Sequence, residues 1–361
     1  MLTKKQIKLL KTVTELNGIS GQENEVARFL NKTYLDLGYE VIKDNLGSIF
    51  AFKKSKVENA PNVLVAGHMD EVGFIITKVN ENGLCNIASV GGHNSQALYA
   101  KRVLVRTKDN KYLEGAIDST PPHLLNKEKG SSEPDISKMR VDFGFRSKEE
   151  VIEAGINSGS MVVVKGDFVV LNNGQRLLAK AFDNRYGVAL GIEILEYFKD
   201  IDLPFNLYVG ATVQEEVTGS GIQTISHLIN PDFAIILDCS PAKDSLDPKT
   251  EQGRLGGGLL LRYVDRSMIA FKELIAFQEK MAQKAKVNYQ YFSSPGGTDA
   301  GAAHKSGDGV LTLTHCICAR NIHTGSSIID VDDYKAAKKS LIMILKNLDE
   351  KQINKFKEER R

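Results

Sequence analysis

The sequence predicts an α/β protein in which one α/β domain, expected over 1–72 and 171–361, is interrupted by a small β domain over 73–170. Three observations lead there. Short apolar runs alternate with amphipathic helical patterns in both outer parts of the chain, which places helices on both faces of a sheet. Between about 73 and 170 short β-rich runs alternate with turn signals instead. The 361 residues suit about two domains at ~150 residues each.

Two helical patterns open the chain, 4–17, capped by Thr3, and 23–37, with the breaker GISGQ between them. YEVIKD and SIFAFKK read as a hairpin around Asn45-Leu46-Gly47. NVLVAG (62–67) is wholly apolar, the mark of a strand covered on both faces. The insertion carries FIITKV, RVLVRT, MVVV and FVVL, turns at Asn80-Glu81-Asn82-Gly83 and Asp109-Asn110, and one short helix near 147–155. Its polar stretch 121–138, with Lys127, Lys129, Gly130 and Ser131, predicts a mobile loop. After Asn172-Asn173-Gly174 come the strand RLLAKA, a helix at 184–199, the strand FNLYVGATV, the helix GIQTISHLIN and the strand FAIILDCS. GLLLRYV, a helix at 268–285, VNYQYFS, a short helix from 299, VLTLTHCICA and one long C-terminal helix complete the pattern, with KFKEERR as its frayed, solvated end.

The 47 basic and 45 acidic side chains leave a net charge of +2, which argues against nucleic acid as the main partner. No apolar run approaches the ~18–20 residues of a membrane span, and the first residues lack the pattern of a secretory signal. The four cysteines, Cys85, Cys239, Cys316 and Cys318, are too few for a disulfide framework and read as packing thiols. A cytoplasmic location is expected.

Five apolar strands end in polar residues able to hold a metal. AGHMDEVGF gives His68 and Asp70, AKAFDNRYG gives Asp183, ATVQEEVTGSG gives Glu215 and Glu216, IILDCS gives Asp238, and ARNIHTGSS gives His323. Strand ends are where open α/β sheets build their sites. Each residue also has a plainer role: a hydrogen-bonded histidine, a helix cap at Asp183, a solvated strand end at Glu215 and Glu216. Together, two imidazoles and several carboxylates suit a pair of divalent cations, zinc, cobalt or manganese rather than a thiolate site. Asp70 lies two residues after His68, so in extended chain both point to one side, and Asp70 either orients the imidazole or is a surface turn residue. His93, His123, His227, His304 and His315 lack this context and read as structural, with His93 and His123 the two nearest to an exception. Gly256-Gly257-Gly258 precedes a strand and so is not a phosphate loop. Gly297, Thr298 and Asp299 lie in a glycine-rich turn that either approaches a ligand or only connects two elements.

The ordered motifs GHMDEVGF, AFDNRYG, QEEVTGSG, LDCS, GGTDAG and R-x-x-H-T resemble the M42 family of metallo-aminopeptidases over essentially the whole chain. The resemblance implies a mixed-sheet α/β/α zinc-peptidase domain with a PDZ-like dimerisation insertion, and dimers assembling into dodecamers. It implies that Asp183 bridges two metals, that His68 and Asp238 complete one site, and that Glu216 and His323 complete the other. Glu215 would be the general base and Asp70 the partner of His68. A cis bond between Asp183 and Asn184 is also implied; many relatives carry Asp-Asp there. The expected substrates are short peptides with a free N-terminus. Arg254 and Arg262 are candidates for attracting an acidic first residue. A metal-dependent amidase or deacylase on the same fold, and an endoglucanase, a label some relatives carry, are the alternatives.

Overall fold

Thr3 starts the first helix by a reciprocal cap: its hydroxyl accepts from the Gln6 amide while the Gln6 side chain accepts from Thr3 N. The structure, a computed structural model, describes residues 1–119 and 134–359. His123 and most of the polar stretch expected to be mobile lie outside them. Helices α1 (Lys4–Glu15) and α2 (Asn24–Asp36) lead to the hairpin β1 (Glu40–Lys43) and β2 (Ile49–Lys53), then to β3 (Asn62–His68). The chain next makes β4 (Gly73–Val79), β5 (Cys85–Val90), β6 (Arg102–Arg106), β7 (Tyr112–Ile117), β8 (Arg140–Asp142), α3 (Lys148–Glu153) and β9 (Met161–Val164). These six strands close into a barrel in the order β4-β5-β8-β7-β6-β9, filled by Phe74, Ile76, Val103, Val105, Val141 and Val162 among others.

The remainder comprises β10 (Val169–Leu171), β11 (Arg176–Ala179), α4 (Phe182–Phe198), β12 (Asn206–Thr212), α5 (Ser220–Ile229), β13 (Phe233–Pro241) and β14 (Leu259–Val264). It continues with α6 (Lys272–Lys284), β15 (Tyr289–Ser293), α7 (Asp299–His304), β16 (Leu311–Ala319), β17 (Ser327–Asp330), α8 (Val331–Lys346) and α9 (Glu350–Glu358). Among the described residues one mixed sheet runs β1-β2-β12-β3-β13-β16-β14-β15, its centre β12, β3, β13 and β16 parallel. The large core on one face draws on α1, α2, α4, α6, α8 and α9; a smaller core on the other face uses α5 and α7. Gly210 in β12 is required by packing, since a Cβ there would lie 2.1 Å from the Ile49 carbonyl oxygen.

The mixed α/β fold follows the sequence, with four differences. The strand expected at 168–171 does not join the barrel: β10 pairs with β11, and β11 with β17, in a separate three-stranded sheet. The boundary at 170 therefore runs one strand too far, and RLLAKA stands outside the main sheet. A short apolar run does not say which sheet will take it. The strand β17 gave no signal of its own. The C-terminal helix is two helices, and the described part of KFKEERR is anchored, 360–361 lying outside the described residues: Phe356 is buried, stacked on Phe233 and edge-on to Phe277, and Lys357 meets Asp232 at 2.7 Å.

His315 is structural, as expected. It is fully buried on β16, with Nε2 2.9 Å from the Ala337 carbonyl and Nδ1 3.2 Å from the Gln278 amide nitrogen. Those partners fix a neutral ring that donates from Nε2 and accepts at Nδ1. Burial pushes its pKa down from 6.5 to about 4. The unfolded ring gains its proton first as pH falls, so this stability is complete above about 6.5 and is lost toward pH 4; the difference corresponds to about 3 kcal/mol. Urea unfolding of His315→Gln between pH 7 and 4 should therefore show a shallower loss of stability than the parent chain. Parallel profiles would show that His315 does not carry the effect.

Candidate metal centre

The site forms where the parallel strands end. β3 finishes at His68, the turn after β12 carries Glu215 and Glu216, and Asp238 sits within β13. Asp183 and Asn184 lie at the start of α4 with non-helical backbone angles, and the bond between them is cis. Asn184 donates to the Leu237 carbonyl at 2.6 Å and accepts from Gly187 N, which ties this turn to β13. His323 is held between β16 and β17 with φ of 60°.

Asp183 faces two groups at once. Its Oδ1 is 3.0 Å from His68 Nε2, and its Oδ2 is 3.2 Å from His323 Nε2. On the first side Asp238 Oδ1 comes within 3.7 Å of His68 Nε2; on the second Glu216 Oε2 comes within 3.4 Å of His323 Nε2. The donor atoms of His68, Asp183 and Asp238 lie within 4.8 Å of one another, and so do those of Asp183, Glu216 and His323. Glu215 Oε2 is 3.9 Å from His68 Nε2 and belongs to neither trio.

The outer ring nitrogens are spoken for. His323 Nδ1 lies 2.9 Å from the Gly92 carbonyl, supplied by the barrel. His68 Nδ1 lies 3.1 Å from the Asp70 carbonyl and 3.4 Å from its carboxylate. Each ring thus donates outward from Nδ1 and turns Nε2 to the Asp183 carboxylate, the nitrogen that a cation would take in place of its proton. The Asp70 carboxylate, fully buried, accepts from the amides of Glu215 and Glu216 at 3.1 Å each and from the Ser20 hydroxyl at 2.6 Å. Asp70 therefore holds the Glu215–Glu216 turn as well as the imidazole, which its position after His68 did not announce.

Burial dominates the electrostatics. It pushes the carboxyls of Glu215 and Glu216 well above the usual range, and that of Asp238 up to about 6 with Asp183 adding to it. Burial also opposes the charge on Asp183, but hydrogen bonds from His323 and His68 outweigh it and hold that carboxyl well below its usual value. Glu216 Oε1 is buried with no hydrogen-bond partner. An orphaned carboxylate oxygen amid anionic neighbours, with two imidazole nitrogens opposite, is a ligand set that fits divalent cations.

Asp183, Glu215, Glu216, Asp238 and His323 line a cleft of about 1100 Å³. Gly296, Gly297 and Thr298 form part of its wall. Asp299, expected there, is buried instead, its Oδ2 accepting from Thr212 Oγ1 at 2.5 Å. Neither candidate arginine lines the cleft. Arg254 is exposed, its main chain bonded to Gln290, and Arg262 is buried against Asp265 at 2.9 Å. Besides His323, the basic side chains that do line it are Arg266, Lys305 and His227; the two cations have no local pattern that marks a cleft, and His227, expected to be structural, is exposed on the cleft wall instead.

The sequence profile of the M42 glutamyl aminopeptidase family matches residues 47–339. A glutamyl aminopeptidase of Lactococcus lactis subsp. cremoris is 36% identical over 349 residues, 96% of this chain and 98% of its own. The crystal structure of a TET aminopeptidase from a marine sediment Thaumarchaeota archaeon superposes with a TM-score of 0.92 at 35% identity, covering 98% of this chain and 99% of that one. A Pyrococcus horikoshii TET1 peptidase, which can assemble into a tetrahedron or a large octahedral shell, gives 0.85 at 28% identity over 95% of this chain and all of its own.

Asp70 offers a direct test of how the turn is held. In Asp70→Asn one side-chain oxygen becomes an NH₂ group and must face a backbone or hydroxyl donor. The variant should lose about 1–3 kcal/mol in urea unfolding, the cost of a buried donor left unsatisfied. Ser20→Ala, which removes one donor and leaves the two amides bonded, should lose less. Equal losses would place the strain elsewhere.

Proposed function

The chain belongs to the M42 peptidase family, hydrolases that act on peptide bonds, and from that premise we propose that it removes N-terminal residues from short peptides with two divalent cations in the cleft. The observation that carries this reading is the two-sided Asp183 carboxylate, each oxygen facing its own histidine and carboxylate. His68, Asp183 and Asp238 would hold one cation, and Asp183, Glu216 and His323 the other, with zinc or cobalt suited to these N and O donors. When bound, such ions polarise the scissile carbonyl and lower the pKa of water.

The rest falls to the protein. Glu215 stands beside the first trio, 3.9 Å from His68 Nε2, without belonging to either, so its carboxylate is free to take a proton from the attacking water and return it to the leaving amine. Asp70 fixes Glu215 by its amide and His68 by its ring. The anionic cluster suits the cationic amino terminus of a peptide. A cleft of this size admits a short peptide and not a folded domain. Arg266, Lys305 and His227 support a preference for acidic first residues, in place of Arg254 and Arg262. We further propose that 1–72 with the α/β part after the barrel is the catalytic domain, that the barrel holds a dimer contact as a PDZ-like module, and that dimers form a dodecamer. The TET1 relative's tetrahedral assembly supports the last point. No helix of the described residues is long and apolar enough to cross a membrane, and we place the protein in the cytoplasm.

Prolonged chelation should abolish aminopeptidase activity, and zinc or cobalt should restore it. Two neighbouring carboxylates then separate the roles. Glu215→Gln should keep both metals and lose about 10²–10⁴ in kcat, the range for lost acid–base catalysis. Glu216→Gln should lose one metal together with activity. Metal content measured beside kcat decides, and a Glu215→Gln protein with one metal would swap the assignments. On a panel of aminoacyl chromogenic substrates, Arg266→Ala with Lys305→Ala should raise KM for Glu and Asp substrates and leave Leu substrates unchanged. Faster turnover of N-acyl substrates than of any free-amino peptide would move the reading to the amidase.

A further inference from the structure

The loop between α1 and α2 meets the turn that carries Glu215, and one of its side chains has no other evident task. Glu23 is 5% exposed and stands at the N-cap of α2, yet its carboxylate makes no cap bond to that helix. Its Oε1 instead accepts from Gly21 N at 2.8 Å and from Gln214 N, across 191 residues of sequence, at 3.1 Å. Gln214 has φ of 59°, a left-handed conformation rare outside glycine, and its carbonyl accepts from Thr218 N and Gly219 N. Three successive amides, Gln214, Glu215 and Glu216, are thus held by two carboxylates, Glu23 for the first and Asp70 for the other two. The loop itself is anchored: Ser20 donates to Asp70, and Gln22 joins Arg106 at 2.6 Å and the Gly159 carbonyl at 3.0 Å.

We propose that Glu23 is a positioning residue for Glu215, its carboxylate fixing the Gln214 amide and with it the left-handed step that aims the base. A glutamate kept at an N-cap without capping, where shorter side chains are preferred, is explained by this reach. The inference rests on Glu215 being the proton acceptor.

The decisive variant is Glu23→Asp. One methylene shorter, it can cap α2 and cannot reach Gln214, so the protein should stay as stable as the parent while the turn loosens. In metal-free protein, hydrogen exchange at Gln214 should quicken by about tenfold or more while the amides of β16 stay unchanged. In metal-loaded protein kcat should fall ~10–100-fold, as for a misplaced catalytic group, with KM and a content of two metals retained. Glu23→Gln keeps an accepting oxygen at full length and should restore both readouts to within a few-fold. A purely structural role would lower stability and leave the kcat of the folded protein intact. Unchanged Gln214 exchange in Glu23→Asp, unchanged kcat there, or a Glu23→Gln protein as impaired as Glu23→Asp would each overturn the proposal. If Glu215→Gln kept full turnover while Glu23→Asp still loosened the turn, the clamp would stand and only the base assignment would fall.

Discussion

Buried negative charge is the constraint on which the structure turns. Asp70 and Asp238, buried, and Asp183 and Glu216, half-buried, converge on two imidazoles, and carboxylates in such surroundings must find protons, donors or cations. Donors meet part of the demand. Asp70 takes two amides and a hydroxyl, Asp238 takes the Cys239 amide at 2.7 Å, and Asp183 takes both rings. Glu216 Oε1 takes none. The remaining demand is what divalent cations would meet, and it explains why the site sits at strand ends, where free amides and short turns are concentrated.

The same constraint shapes what lies behind the site. Two residues after Asp183, Arg185 is fully buried and donates to the carbonyls of Met69, Val13 and Leu16. Lys180 Nζ reaches Glu71 at 2.6 Å and the Leu16 carbonyl at 3.0 Å. Buried cations cost as much as buried anions unless every donor is used, and these use theirs to bind the end of α1 and the strand exit after His68 into one block. The carbonyls that cap off α1 are therefore the acceptors that keep the α4 turn in place. Helix ends, which leave carbonyls without partners, become attachment points for guanidinium and ammonium groups.

What sequence revealed and what it did not divides along this line. The apolar runs at 62–67 and 233–240 could only be covered strands, and the polar residues ending them could be read in order as a site. The side chains that meet the site from far away carried no such mark. Glu23 reads locally as a helix start, Gly92 as a turn, and Arg266 and Lys305 as ordinary surface charges. Their roles arise from contacts across 145 to 231 residues or from lining a common cleft, which periodicity does not encode. Arg254 and Arg262 show the converse: a basic residue close in sequence to a glycine-rich segment turned out exposed elsewhere in one case and buried in an ion pair in the other. The barrel could be foreseen as a unit because its strands pair with one another, whereas β10 is an equally short apolar run that carries no mark of the separate sheet it forms with β11 and β17.

The barrel and the α/β domain are joined at the site itself, which bears on how the one can influence the other. His323 belongs to the α/β domain, but the carbonyl that orients its ring is Gly92 of the barrel. His93 beside it stacks on Phe74 at 4.3 Å and reaches the Gly73 carbonyl at 2.9 Å, so this carbonyl is carried on a packed segment and not on a free loop. A second seam runs through α2 and the loop before it, where Tyr112 meets Glu25 at 2.6 Å and Arg106 meets Gln22. One seam ends at His323 and the other at the loop that holds Gln214 and Asp70. The barrel is tied by hydrogen bonds to His323 on one side and to the loop beside Asp70 on the other. The geometry of the candidate metal centre thus depends on the barrel as well as on the main sheet, because the acceptor that aims one of its two imidazoles is the Gly92 carbonyl.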